Sequence, residues 1–154
     1  MDLGDLIEPD AILPVLKATS KKQVLQELAE KAAERTGLAE RDIFETIVQR
    51  ERLGSTGVGN GIAIPHGKLE RLGRLVGVFG RLHRPVEFDA LDDQPVDLVF
   101  LLLAPEGAGA EHLKALSKIA RLLRNPETVG RLRASHDVET LYALMTDTTP
   151  PFAA

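Results

Sequence analysis

The chain lacks cysteine altogether, and this absence removes three kinds of chemistry at once. Without thiols there is no disulfide framework, no thiolate zinc site and no cysteine nucleophile. Long apolar runs are also missing, since the longest, at residues 98–104, is far too short to cross a bilayer. The N-terminal residues are acidic and do not resemble a signal peptide. These absences predict a cytoplasmic protein with no membrane insertion.

The 19 lysine and arginine residues are outnumbered by 23 aspartate and glutamate residues. The formal net charge is −4, and no run of lysine and arginine is longer than two residues, which argues against a nucleic-acid partner. Hydrophobic residues make up 44% of the 154 residues, enough to bury the core of one domain. We expect that domain at residues 1–147, followed by a C-terminal tail at residues 148–154.

Helical patterns dominate both ends of the chain. Ser20 and Gln23 form the sequence of a capping box, apolar residues follow at helical spacing, and Gly37 is a suitable stop. A second helix is expected to end near Gly54. After residues 105–109 a third helix is predicted to face inward with a stripe that includes Leu113. Two more helices are expected near the C-terminus, the first of them starting at Asn125-Pro126.

Three segments predict strands. They are residues 62–64, which Pro65 would end, residues 75–82, and the nearly unbroken apolar run at residues 96–103. A run of that kind is typical of a strand covered on both faces. The combination predicts an α/β fold, a single-domain sandwich with a small mixed β-sheet flanked by helices. The strand order cannot be read from these patterns.

The stretch from residue 54 to residue 61 holds four glycines in eight residues. Such loops let backbone N–H groups surround an anion. Two nucleotide motifs fail here: Asn60-Gly61 replaces the Lys-Ser/Thr of a Walker A loop, and Ile62 replaces the third glycine of a dinucleotide fingerprint. A merely mobile loop therefore stays open beside an anion site.

Four histidines are scattered along the chain, with none of the spacings of a zinc site. His66 follows the strand ended by Pro65, and Gly67 beside it would allow close approach of another macromolecule. His112 begins a predicted helix, a position that favours anions and lowers the pKa of an imidazole. His83 and His136 have no comparable surroundings. No metal site is expected.

At these residues the chain resembles the IIA component of the bacterial phosphoenolpyruvate:sugar phosphotransferase system, of the mannitol/fructose type. Among these it is most similar to the nitrogen-regulatory IIA proteins. The resemblance covers roughly residues 6–147. Its motifs are Arg50-Glu51, GSTGVGNGIAIPHGKL at residues 54–69, FDALDDQPVDLVFLLLAP at residues 88–105 and EHLKALSKIARLL at residues 111–123.

The resemblance implies that His66 is phosphorylated on Nε2, with His112 and Arg50 as the other residues of the site. A neutral imidazole is needed, and its second nitrogen should donate its N–H to a fixed acceptor. We expect the phosphoryl oxygens to be bound by His112, by Arg50 and by backbone N–H groups of a phosphate-binding loop. That loop comprises Gly57, Val58, Gly59, Asn60 and Gly61. No cofactor is needed when the donor is itself a phosphohistidine.

Two functions share this first step, in which an HPr-like phosphocarrier protein is the donor. One is regulation, with phosphorylation switching the binding of targets such as a potassium transporter or a sensor kinase. The other is sugar transport, with the phosphoryl group passed to a IIB component. The absence of IIB and IIC domains favours regulation; a structural module that is never phosphorylated stays open. Protein docking would need a shallow apolar surface around His66, for which the candidates are Val58, Ile62 and Leu113.

Overall fold

The computed structural model describes residues 3–146, so the predicted tail at residues 148–154 lies outside the described residues. Within this range the chain forms helices and strands in alternating groups. The helices are Lys21–Thr36 (α1), Glu40–Arg52 (α2), Gly109–Arg124 (α3), Pro126–Ala134 (α4) and Val138–Thr146 (α5). The strands are Ile12–Leu16 (β1), Gly57–Gly59 (β2), Ile62–Ala63 (β3), His66–Leu69 (β4), Val76–Val86 (β5) and Val96–Pro105 (β6).

The six strands form one mixed sheet in the order β1-β5-β6-β3-β2, with β4 also pairing with β6. The pairs β1–β5, β3–β6 and β4–β6 are parallel, whereas β5–β6 and β2–β3 are antiparallel. Every residue of β6 from Leu98 to Ala104 is buried, as expected for a central strand covered by helices on both faces. The predicted fold, an α/β sandwich with a small mixed sheet, is confirmed.

The helix ends follow the predicted chemistry. The Ser20 hydroxyl accepts the N–H of Gln23, and the Gln23 side chain reaches back to the N–H of Thr19, so α1 begins with reciprocal caps. Gly37 ends α1 in the left-handed conformation, with φ of 77°. Asn125 caps α4 by accepting two backbone N–H groups. None of the helices in residues 3–146 is long and apolar enough to cross a membrane.

The elements differ from the expectations at three points. β1 was not predicted, because Pro14 interrupts its pattern; an edge strand tolerates that proline. The strand expected at residues 62–64 spans Ile62–Ala63 and ends before Pro65 as predicted, but β4, which begins at the next residue and pairs with β6, was not predicted. Leu113 does not face inward and is 68% exposed, because the buried stripe of α3 runs through His112, Ala115 and Ile119 instead.

Candidate functional site

Three side chains predicted for the site meet around one open cavity of about 590 Å³. Arg50 lies in the last turn of α2, His66 is the first residue of β4, and His112 lies in the first turn of α3. The parallel pairing of β4 with β6 places His66 opposite Leu102 in the sheet centre. The remaining lining residues are Thr46, Gln49, Leu53, Gly67, Lys68, Gly109, Leu113 and Leu116.

The two ring nitrogens of His66 have different partners. Nδ1 lies 2.9 Å from the carbonyl oxygen of Ile64, and Nε2 accepts a hydrogen bond of 3.2 Å from Nε of Arg50. A carbonyl can only accept, so Nδ1 carries the proton and Nε2 presents a lone pair. The tautomer assigned by these contacts therefore makes Nε2 the nucleophilic nitrogen.

The surroundings of His66 keep its ring neutral. Burial lowers the pKa of His66 below its ordinary value, and the positive charge of Arg50 lowers it further. The hydrogen bond to Ile64 and the charge of Glu51 act in the opposite direction but do not cancel the effect. The ring is half-buried and lines an open cavity, as predicted for a histidine that must meet another protein.

His112 packs edge-on against His66, with ring centroids 5.7 Å apart and an angle of 79° between the ring planes. His112 is only 5% exposed, and its Nδ1 is buried without a hydrogen-bond partner. Burial lowers the pKa of His112, and the nearby His66 and Lys68 contribute in the same direction. Both imidazoles are therefore held in the neutral form, next to two cationic side chains.

The predicted phosphate-binding loop does not reach this cavity. Gly57 and Gly59 belong to β2, and Val58, Gly59 and Asn60 line a neighbouring cavity with residues of α3. Packing and backbone conformation explain why glycine stands at two of these positions. A Cβ on Gly57 would lie 2.8 Å from Cβ of Ala90, and Gly61 has a φ of 81° in the turn before β3. The expectation that these five residues surround the phosphoryl group is therefore not supported by their positions.

The loop is also held in place. The N–H of Asn60 donates to the carboxylate of Asp92, and its carbonyl accepts from Arg133, which also forms an ion pair with Asp97. Backbone bonds join Gly61 to β6. The segment is therefore not a mobile loop; it is the hairpin of β2 and β3, held by these hydrogen bonds.

Of the three apolar residues predicted for docking, only Leu113 lines the cavity of His66. Ile62 is buried, and Val58 belongs to the neighbouring cavity. Leu53, which is 84% exposed, was not predicted for the rim; it follows α2 directly and could have been found from its position after Arg50. Lys68 was missed as well, although it lies two residues after His66 and its side chain lines the cavity.

The other two histidines, His83 and His136, are exposed and do not line this cavity. Among residues 3–146, no group of three or more histidine, cysteine, aspartate or glutamate side chains is arranged to hold a metal ion. The chemistry that the site offers is thus a neutral imidazole nucleophile beside a guanidinium, a second imidazole and an ammonium group.

Comparison with known proteins gives consistent matches over the whole chain. Residues 5–148 match the family described as "Phosphoenolpyruvate-dependent sugar phosphotransferase system, EIIA 2". A nitrogen regulatory protein of Bradyrhizobium diazoefficiens is 59% identical over 154 residues, covering 100% of this chain and 99% of the relative. The crystal structure of nitrogen regulatory protein IIA-Ntr from Neisseria meningitidis is 37% identical, with a TM-score of 0.90, covering 94% of this chain and 99% of that one.

A sugar-transport protein is among the relatives too. The fructose-specific EIIABC component of Bacillus subtilis is 36% identical over 128 residues, which cover 82% of this chain but only 20% of that longer protein.

Proposed function

Because this chain belongs to the EIIA type 2 family of the phosphoenolpyruvate-dependent sugar phosphotransferase system, we propose that it is a phosphocarrier of that system. His66 accepts a phosphoryl group from an HPr-like protein in the cytoplasm, and the protein acts mainly as a nitrogen- and potassium-type regulator. The observation that carries the proposal is the contact of Nδ1 of His66 with the Ile64 carbonyl, which leaves Nε2, bonded to Arg50, as the nitrogen with a lone pair beside the open cavity.

The transfer needs no cofactor. The Nε2 lone pair of His66 forms the new P–N bond while the P–N bond to the donor histidine breaks, and the electron pair of the broken bond returns to the donor imidazole. The proton stays on Nδ1 throughout, and its hydrogen bond to the carbonyl oxygen of Ile64 is kept. Arg50, His112 and Lys68 line the cavity where the phosphoryl oxygens arrive, and Arg50 exchanges its bond to Nε2 for bonds to those oxygens.

The regulatory output follows from charge. A phosphoryl group adds about 1.5 to 2 negative charges, and here it would do so beside the exposed apolar rim formed by Leu53 and Leu113. A target that docks on the unmodified rim would lose that contact, and one with a basic surface would gain it. The similarity to nitrogen regulatory proteins over the full chain supports this role, with a potassium transporter or a sensor kinase as the kind of target.

The test is a reconstituted relay. The protein is incubated with phosphoenolpyruvate, Enzyme I and the HPr homologue, and its intact mass is measured. We expect the gain of one phosphoryl group in the wild type and in His83→Ala, which removes an exposed histidine, and none in His66→Ala. A normal gain in His66→Ala would contradict the proposal.

Chemical stability identifies the bond. A phosphoramidate on His66 is lost in mild acid and kept in base. Label that survives acid would instead indicate an ester on Ser55 or Thr56, which lie near the end of α2.

The alternative is sugar transport, favoured by the similarity to the fructose-specific component. In that case the phosphorylated chain would pass the group to a IIB partner. Mixing phosphorylated protein with a fructose-type IIB component distinguishes the two, since rapid transfer supports transport and retention of the phosphoryl group supports regulation.

A further inference from the structure

Glu51 is a buried carboxylate that follows Arg50 on α2 but does not line the cavity of His66. It is 8% exposed. Both of its oxygens accept the backbone N–H of Thr56 at 3.2 Å, one also accepts the Thr56 hydroxyl, and the other lies 2.9 Å from Nζ of Lys21. Its charge is therefore both neutralised and fully hydrogen-bonded, which a buried carboxylate requires.

Thr56 continues this contact toward His66. The carbonyl oxygen of Thr56 accepts the N–H of Ile64 at 3.0 Å, and the carbonyl oxygen of Ile64 accepts the proton on Nδ1 of His66 at 2.9 Å. Glu51 is thus linked through Thr56, by two successive hydrogen bonds, to Ile64, whose carbonyl selects the tautomer of His66.

Arg50 connects the same segment to the other ring nitrogen of His66. Its Nε donates to Nε2 of His66, and its Nη1 donates to the carbonyl of Gly54 at 2.9 Å, in the segment that Glu51 holds through Thr56. The N–H of Gly54 in turn donates to the backbone carbonyl of Glu51. The end of α2, residues 53–56 and the start of β4 are therefore joined in one closed ring of hydrogen bonds and main-chain links, of which the imidazole is a member.

We propose that Glu51 is a positioning residue for phosphoryl acceptance, fixing the Ile64 carbonyl and the Arg50 guanidinium on the two nitrogens of His66. This inference rests on the proposed function. Glu51 never touches the phosphoryl group. It acts because a hydrogen-bonded ring strengthens when every member is satisfied, and because small displacements of a nucleophile are costly in rate.

The substitution Glu51→Gln tests this with little change in shape. An amide has only one acceptor oxygen, so its NH₂ group must face either the N–H and hydroxyl of Thr56 or the ammonium of Lys21. Thr56→Val removes the hydroxyl alone, and Thr56→Ser restores it. Glu45→Gln is the matched control, because Glu45 lies on the same helix in an exposed ion pair with Arg41.

Two measurements are made on each variant. The ¹⁵N shifts of the imidazole of His66 report the tautomer in the unphosphorylated protein, and the relay assay gives kcat and KM for the phosphorylated donor. In Glu51→Gln and Thr56→Val we expect a mixed tautomer and a loss of roughly 10- to 100-fold in kcat with KM unchanged. Glu45→Gln and Thr56→Ser should behave as the wild type.

The outcomes are distinct. A wild-type tautomer and kcat in folded Thr56→Val and Glu51→Gln would overturn the positioning role and leave phosphorylation of His66 intact. If Glu51→Gln fails to fold, the comparison of Thr56→Val with Thr56→Ser decides. If the wild type itself accepts no phosphoryl group, the proposed function fails, and the ¹⁵N shifts still decide whether Glu51 sets the tautomer.

Discussion

At the scale of single residues, the two ring nitrogens of His66 differ in chemical role because they contact different groups. The Ile64 carbonyl fixes the proton on Nδ1, while the Arg50 guanidinium covers the lone pair on Nε2. The same guanidinium also helps to keep the ring uncharged, because its positive charge opposes protonation. One arginine thus acts on both the geometry and the electrostatics of the nucleophile.

The pKa of His66 is therefore predicted to lie below the ordinary histidine value of about 6.5. Burial and the charge of Arg50 both lower the pKa, so the ring stays neutral and competent at pH 7 and is protonated only on further acidification. An NMR titration of the unphosphorylated protein measures this directly. In Arg50→Ala the midpoint should rise toward the ordinary value. A wild-type midpoint above 6.5 would contradict the assignment.

Arg50 is also expected to contribute to rate. Arg50→Ala should fold normally but accept the phosphoryl group roughly 10² to 10³ times more slowly, since a preorganised donor is worth about 2.7–4 kcal/mol in a transition state. Single-turnover transfer from the phosphorylated donor measures the rate. Arg41→Ala, in an exposed ion pair of the same helix, is the control. Equal rates in both variants would show that the guanidinium is not used.

At the scale of elements, β4 and α2 are pressed together directly beneath the site. A Cβ on Gly67 would lie 2.8 Å from Cγ2 of Thr46, closer than side chains pack. Gly67 is therefore needed because α2 leaves no room for a side chain on this strand. This requirement is separate from the close approach of another macromolecule that its position beside His66 would allow. The same two elements carry Arg50 and His66, whose Nε and Nε2 atoms lie 3.2 Å apart.

Gly67→Ala is predicted to destabilise the protein by about 1–3 kcal/mol, as overpacking usually does. Thr46→Ser removes the methyl group that the new Cβ would meet, so the double variant should recover most of the loss. Chemical denaturation gives the free energies of unfolding. Gly73→Ala is the control, since nothing lies within 4 Å of a Cβ there. Additive effects of Gly67→Ala and Thr46→Ser would contradict the contact.

Sequence reasoning was strongest where local chemistry decides the structure. The caps at Ser20, Gly37 and Asn125 and the buried strand β6 are confirmed, because each depends on neighbouring residues or on one long apolar run. The glycine-rich segment combines two causes: Gly57 is required by a contact with Ala90, which is distant in the sequence and leaves no local signal, whereas Asn60-Gly61 is a local hairpin-turn signal. The burial of His112 and the exposure of Leu113 were also not predicted. The sheet that α3 covers decides which face of the helix is buried, whereas hydropathy alone predicted that the leucine would be the buried one.

The positions of His66, Arg50 and His112 came from a motif, yet nothing in the motif gives their contacts. The tautomer depends on Ile64, and the ring of bonds depends on the contact of Glu51 with Thr56 and on the backbone bond between Thr56 and Ile64, none of which the motif specifies.

At the scale of the whole molecule, the cavity of His66 opens between exposed apolar side chains contributed by different elements. Leu53 follows α2 and Leu113 lies on α3, on a chain with a net charge of −4. A rim of this composition suits a protein donor, whose docking depends on a few desolvated apolar contacts.

A charge at the rim is therefore expected to weaken docking. Leu113→Glu should raise the KM for the phosphorylated donor on the order of tenfold with little change in kcat, because a carboxylate would have to be desolvated in the complex. Leu91→Glu is the matched control: Leu91 is 79% exposed but does not line the cavity. The relay assay at varied donor concentration measures both constants, and equal KM values for the two variants would move the docking site elsewhere.

The edge-on pair of His66 and His112 has a consequence for equilibrium as well as for rate. In the unmodified protein, burial lowers the pKa of His112 and the neighbouring His66 lowers it further. Once Nε2 carries a phosphoryl group, the same short separation places a multiple negative charge beside His112, whose buried Nδ1 has no partner. That field would favour an imidazolium, so we expect a phosphorylated form to bind a proton at His112 more readily than the unmodified protein does. By linkage the proton becomes a co-reactant, and the phosphorylated fraction at a fixed donor ratio increases as the medium becomes more acidic, down to the pH at which His66 itself is protonated.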